Sequence, residues 1–337
     1  MSRLIHILII VLAAVFFCTN ISEAKVIKLA TIAPEGSSWM TLMRAGAKEI
    51  KQRTQGRVKI KFYTGGVMGN EKSVLRKIRI GQLHGGAFTS SGLSAVYPDI
   101  YLYGLPMEIQ SYEEADYVRG KMDDLLMEGL RKAGFESFGL AEGGFAMVMS
   151  GSPVKTLDDL KGKKVWVPEG DKISYTVMRS LGLAPVTLSI TDVLPGLEAG
   201  LIDIVAVSPV GAITFQWHTK LTYFTDTRLL YIYATLVIDR RVFSKLNPSD
   251  QTVVTEVFGK TYEELNRINR ADSDKATKVL EGQGLKRVTQ SPEQRQEWYR
   301  KSRPAIEGLV KDGVVSERLY NMMIDIIRKY RNESAGQ

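Results

Sequence analysis

The chain has 337 residues, 44% of them hydrophobic, and carries a formal net charge of +8 with one cysteine and three histidines. That length suits roughly two globular domains. A lone cysteine excludes an intrachain disulfide, and three scattered histidines without carboxylates at metal spacing give no zinc-type motif, so no metal or cofactor is expected.

Arg3, the apolar run 4–17 and the small-x-small end Ser22-Glu23-Ala24 have the three parts of a secretory signal. Residues 1–24 are therefore expected to be removed, leaving a periplasmic chain that begins near Lys25. An uncleaved anchor is the alternative, although the run is shorter than the roughly 20 residues of a spanning helix. A lipid on Cys18 is another, against which stand the bulky Phe16 and Phe17. Cleavage removes Cys18 and His6, and with them any thiol chemistry; His84 and His218 read as surface or hydrogen-bonding residues. Lys and Arg are spread along the chain rather than blocked, which together with export argues against nucleic acid.

VIKLA at 26–30 reads as a buried strand, followed by the loop TIAPEGSS and a helix over about 39–54 with Met40, Met43, Ala47 and Ile50 on one face. A strand at 58–63, the Gly65-Gly66 turn and a helix over 71–80 continue a βαβα pattern, which predicts a parallel sheet covered by helices. A short strand containing Phe88 then runs into Thr89-Ser90-Ser91. A nucleophilic serine there lacks a histidine or acid at motif spacing and the G-x-S-x-G elbow, so the loop reads as a helix cap.

YLYGLP at 101–106 precedes an amphipathic helix over 112–133. Strands at 138–141 and 145–150, separated by Glu142-Gly143-Gly144, suggest a crossing into a second domain. There βα order resumes: a strand at 165–167 stopped by Pro168 and Gly170, a helix over 173–181, a strand at 186–188, a helix over 193–199 and a strand at 202–207. Trp166 lies at the carboxyl end of its strand, where it either faces a ligand in the crevice of an open sheet or fills core; the residues alone leave both open. Residues 217–224 lead into an apolar strand at 231–238 able to return to the first domain. Asn247-Pro248-Ser249-Asp250 starts a long helix to about Leu280, and Leu319, Met322, Met323, Ile326, Ile327 and Tyr330 form a closing helical stripe of core type.

Six segments occur in a characteristic order: APEGSSW at 33–39, TQGRVKIKFYTGGVMGNE at 54–71, YPD at 97–99, GLP at 104–106, DLKGKKVWVP at 159–168 and LEAGLIDIVAVSP at 197–209. Together they make the chain resemble the solute-binding subunit of tripartite ATP-independent periplasmic (TRAP) transporters, the DctP-like family. The resemblance covers nearly all of the mature chain. It implies an α/β, two-domain periplasmic binding protein (type II-like) fold with crossing strands, a long hinge-spanning helix and an interdomain cleft. Domain I is expected at 25–146 plus about 235–275, and domain II at 147–234 plus about 276–330. It also implies a monomer that closes on a small organic solute and delivers it to a small and a large membrane subunit.

The family usually grips an organic acid with an arginine in the strand after the lysine-glycine turn, and here that position is Trp166. Where a second basic residue is often found the chain has Phe145 or Ala146, and 133–154 holds no Lys, Arg or His. Ile32, Phe88, Thr89 and the run Ile204 to Val207 continue the drift from polar to apolar, while Ser208 stays polar. The expected ligand-binding set is Ile32, Trp39, Phe88, Thr89, Ser91, Tyr103, Glu142, Phe145, Trp166, Glu169, Ile190, Val207, Ser208 and Trp217, and the expected ligand is hydrophobic or aromatic. An enzyme on the same fold would need a base from Glu142, Glu169, His218 or Tyr103, none with an evident partner, so none is expected. A carrier or sensor without a transporter stays open.

Overall fold

The protein is described by a computed structural model over residues 24–335. The expected signal, with His6 and Cys18, lies outside the described residues except for Ala24. The first half opens with β1 (Lys25–Ala30), α1 (Ser38–Arg53), β2 (Val58–Tyr63), α2 (Glu71–Arg79) and β3 (Gly85–Thr89). β1 pairs in parallel with both β2 and β3, as a βαβα chain with covering helices requires. A short helix α3 (Ser90–Leu93) follows, and the side chain of Thr89 caps it by accepting from the Gly92 N–H at 3.1 Å. The polar loop is thus a helix cap.

After the 3₁₀ segment Pro98–Gly104 come α4 (Tyr112–Lys132), β4 (Phe135–Ser137) and β5 (Ala141–Ser150). The second half contains β6 (Lys164–Pro168), α5 (Lys172–Ser180), β7 (Ala184–Leu188), α6 (Val193–Glu198), β8 (Ile204–Val207), α7 (Pro209–Thr214) and β9 (Tyr223–Thr225). The chain ends with β10 (Leu230–Asp239), α8 (Arg240–Phe243), α9 (Pro248–Gly282), β11 (Lys286–Val288), α10 (Pro292–Lys311) and α11 (Glu317–Ala335).

The main strand order is β2-β1-β3-β10-β5-β8-β6-β7, with β4 beside β10, β9 beside β5 and β11 beside β9. β5 and β10 are the crossing strands. Residues 141–146 of β5 pair with β10, whereas 147–150 pair with β8. The two strands expected at 138–141 and 145–150 are therefore one strand from Ala141, and the glycines between them form a bulge rather than a break. The register shifts between Ile232 and Tyr233, and Gly144 takes φ +82°. A Cβ on Gly143 would lie 2.9 Å from Ile232 Cγ2, so the partner strand can approach only a glycine there.

Helix α9 runs for 35 residues, starting at Asn247, whose side chain accepts from the Asp250 N–H at 2.8 Å. It packs closely on α1, because a Cβ on Gly46 would come within 2.9 Å of Thr261 Oγ1. Its middle is tied to β5: the Glu142 N–H donates to Asn266 Oδ1 at 2.7 Å, and Asn269 Nδ2 donates to the Glu142 carbonyl at 2.5 Å. Further on it packs against α7, so one helix spans both halves of the sheet. The closing helix α11, expected with the second domain, instead lies on α4. Arg331 Nε donates to Glu114 Oε1 at 2.7 Å, and the Tyr117 and Tyr330 rings are 5.3 Å apart. Met323 of its stripe is fully buried, but Met322 is exposed.

Candidate functional site

The carboxyl ends of β1, β3, β6 and β8 converge, and there the structure has a cavity of about 320 Å³. This is where an open α/β sheet places a ligand. Ile32 lies just after β1, and Trp39 near the start of α1; Phe88, Thr89 and Ser91 come from the end of β3 and from α3. Trp166, Val207 and Ser208 come from the ends of β6 and β8, with Ile190 and Trp217 on neighbouring segments. Ten of the fourteen residues expected at the site thus line one cavity.

Trp166 is 7% exposed. Its ring meets Trp217 edge-on at 5.1 Å, and Phe215 stacks on the other tryptophan at 5.6 Å. The Trp166 Nε1–H donates to the Leu188 carbonyl at 3.0 Å. Its one polar group is committed to the backbone, so what it offers a ligand is an apolar ring.

The polar groups of the cavity are mostly engaged with each other. Asp171 caps α5 by accepting from the Ser174 N–H at 2.8 Å, and its other oxygen accepts from Tyr101 Oη at 2.8 Å and Ser91 Oγ at 3.2 Å. Burial raises its pKa against the pull of these hydrogen bonds. Ser208 caps α7 through the Gly211 N–H at 3.2 Å. Thr89 donates to Glu71 from its N–H at 2.6 Å and from Oγ1 at 3.0 Å, and burial pushes the Glu71 carboxyl up to about 7. Among the described residues no Lys, Arg or His lines the cavity, and Asp171 is its one carboxylate.

Four expected residues lie elsewhere, each for a visible reason. Tyr103 is fully buried, donates to Asp123 Oδ1 at 2.9 Å and packs its ring 5.3 Å from Tyr233. Glu142 turns toward α9, where its carboxylate accepts from Arg270 Nη2 at 2.6 Å and Tyr231 Oη at 2.7 Å. Phe145 is enclosed by the Tyr112 and Tyr231 rings at 5.0 and 5.3 Å, with the Arg228 guanidinium over its face. Glu169 stands at the rim, where it accepts from Asn70 Nδ2 and lies 3.9 Å from Lys72 Nζ. It joins the segment after β6 to the cap of α2 across the cavity mouth.

Tyr101, Asp171 and Ser174 are site residues that sequence reasoning missed. The signal for Asp171 was present as an acid three residues before Ser174 at the start of an apolar-periodic helix, but that pattern specifies a cap and not a pocket. Val165, Leu160, Met178 and Trp298 also line the cavity and were indistinguishable from core. His218 is engaged through Nδ1 with the Ala212 carbonyl at 3.0 Å, and His84 Nδ1 accepts from the Lys28 N–H at 3.1 Å. Among the described residues no group of three His, Cys, Asp or Glu could hold a metal ion, and no helix is long and apolar enough to cross a membrane.

The model of the DctP family, bacterial extracellular solute-binding protein family 7, matches residues 29–312. An uncharacterized protein, YiiZ, from Salmonella typhimurium is 25% identical over 61% of this chain and 64% of its own length, so the match spans just under two thirds of that relative. The 2,3-diketo-L-gulonate-binding periplasmic protein YiaO of Escherichia coli is 23% identical over 71% of this chain and 74% of its own. Among solved structures, the sugar acid binding protein DctPAm of Advenella mimigardefordensis in complex with galactonate superposes with a TM-score of 0.84 at 18% identity, covering 91% of this chain and 98% of that one. The last likeness shows the shared two-domain α/β fold.

Proposed function

This chain belongs to the bacterial extracellular solute-binding proteins of family 7, and from that premise we propose that it captures a mainly apolar or aromatic organic solute for a TRAP-type transporter. Capture is by closure of two domains, and delivery is to a small and a large membrane subunit. The domain boundaries fall where β5 and β10 cross, near 146–147 and 234–235. The protein acts as a periplasmic monomer after loss of its signal, and binds rather than transforms its solute.

One observation carries the choice of solute: among the described residues no Lys, Arg or His lines the cavity, while Trp166, Trp217, Phe88 and Trp39 do. Two of the proteins named above bind sugar acids: YiaO is a 2,3-diketo-L-gulonate-binding protein, and DctPAm is in complex with galactonate. In the family register Trp166 takes the place of the arginine that clamps such an acid. A carboxylate buried here without a partner would cost several kcal/mol. Apolar surface gains about 25 cal/mol for each Å² removed from water, so a ring or hydrocarbon is favoured where an acid is penalised.

The test is a thermal-shift screen of the purified mature protein against aromatic and aliphatic neutral compounds and against dicarboxylates and sugar acids. Stabilisation by the first group alone is expected. Stabilisation by succinate or galactonate, with no response to apolar compounds, would overturn the proposal.

A further inference from the structure

The cavity does not stop at the cleft. Successive residues of a strand point to opposite faces of its sheet, yet Trp166 and Val165 both line this one space. On the Trp166 face it is bounded by Trp217 and Phe215. On the Val165 face it continues between the sheet and helices α5 and α10, against Ile204, Leu160, Met178 and Trp298. The cavity therefore bends around the carboxyl ends of β6 and β8 and enters the second half of the molecule as an inner lobe.

The walls of that lobe favour hydrocarbon over water. Its hydroxyls are engaged: Ser302 Oγ donates to the Tyr299 carbonyl at 3.1 Å, and Ser174 Oγ lies 2.7 Å from Tyr101 Oη. The Trp298 Nε1–H is buried with no partner. A water needs two to four polar partners, and one indole donor on an aliphatic wall does not supply them. The bend excludes a rigid planar molecule from filling both parts, whereas a flexible chain can follow it.

We infer that the solute is an elongated single-chain amphiphile. Its uncharged polar end lies in the cleft beside Asp171 and Ser208, and its alkyl chain passes around the end of β6 into the inner lobe, where Trp298 Nε1–H can serve an oxygen borne on the chain. This rests on the apolar-solute proposal and narrows it from a compact ring to a chain.

The experiment is calorimetric titration of the ligand-stripped mature protein with 1-alkanols from hexanol to dodecanol, and with naphthalene as a compact apolar probe. Alkanol affinity should rise roughly three- to fourfold per added methylene until the lobe is full. Ala206→Phe, which puts bulk at the entrance to the lobe, should lower dodecanol affinity by at least about tenfold and leave naphthalene within about twofold. Met178→Phe narrows the same lobe from α5 and serves if the first variant folds poorly. Alkanol affinity that does not grow with length, or dodecanol binding untouched by both variants, would overturn the chain inference while naphthalene binding left the apolar-solute proposal standing. Binding of succinate or galactonate, with neither alkanols nor naphthalene bound, would sink both.

Discussion

Replacing Trp166 by arginine gives the sharpest test of how this cleft chooses its solute. The side chain contributes an edge-on contact with Trp217 at 5.1 Å and a hydrogen bond to the Leu188 carbonyl at 3.0 Å. Each is worth about 1 kcal/mol. At 7% exposure, with Asp171 the one carboxylate among the described residues that line the cavity, a guanidinium placed here also meets part of the desolvation cost of an unpaired charge, about 2 kcal/mol or more. Trp166→Arg should therefore cost about 4 kcal/mol and lower the melting temperature by about 8 °C. Succinate at a hundred times its Kd would return about 2.7 kcal/mol to the variant, or about 5 °C, and nothing to the wild type. Differential scanning calorimetry with and without succinate reads both effects. Trp166→Phe is the control: it keeps an uncharged ring, loses the N–H and part of the indole volume, and should cost about 2 kcal/mol. An arginine variant that melts with the wild type and keeps its solute profile would refute the reasoning and return Trp166 to the role of core residue.

Three further outcomes follow from the geometry. Glu142→Gln breaks the charge pairing of a fully buried carboxylate with Arg270, which still keeps Asp116 at 2.7 Å; urea denaturation should show a loss of about 2–3 kcal/mol. Glu71 has a folded pKa of about 7, above the carboxylate range of an unfolded chain, because burial of its carboxyl disfavours the charged form by more than the hydrogen bonds from Thr89 favour it. The folded protein therefore holds a proton that the unfolded chain has released, and stability is full below about pH 4 and declines as pH rises through 7. Since the residue as a whole is only partly buried, the decline is set at about 2 kcal/mol, and Glu71→Gln should remove it when urea midpoints are compared at pH 5 and pH 8. Glu169→Ala removes the rim contact with Asn70 and Lys72, so stopped-flow measurements should show solute leaving about fivefold faster, with the melting temperature nearly unchanged.

Much of the fold was legible because local chemistry and periodicity agree. The helix start at Asn247 and Pro248 is a cap, and a 35-residue helix follows it as expected. The polar loop at Thr89 is a cap as well. The glycines between 138–141 and 145–150 read locally as a break; in the structure they are a bulge inside one strand, required by the closeness of Ile232 across the sheet. The site was legible in part for the same reason. Residues at strand ends and in the segments that follow them can be placed from the sequence, and ten of the fourteen expected residues converge. Whether a side chain such as Glu142 or Phe145 turns into the cleft or toward α9 and α4 depends on partners distant in sequence, Tyr231, Arg270 and Tyr112 among them.

The α/β order, the family and the drift from polar to apolar residues at the strand ends can be read along the chain, because each is written in residue types at fixed local spacing. That Trp166 and Val165, on opposite faces of one strand, border the same cavity follows from the folded chain alone. An apolar residue beside a void and an apolar residue in a filled core have the same sequence signature. The difference between them lies in whether α5 and α10 close fully on the sheet, and that is a property of long-range packing.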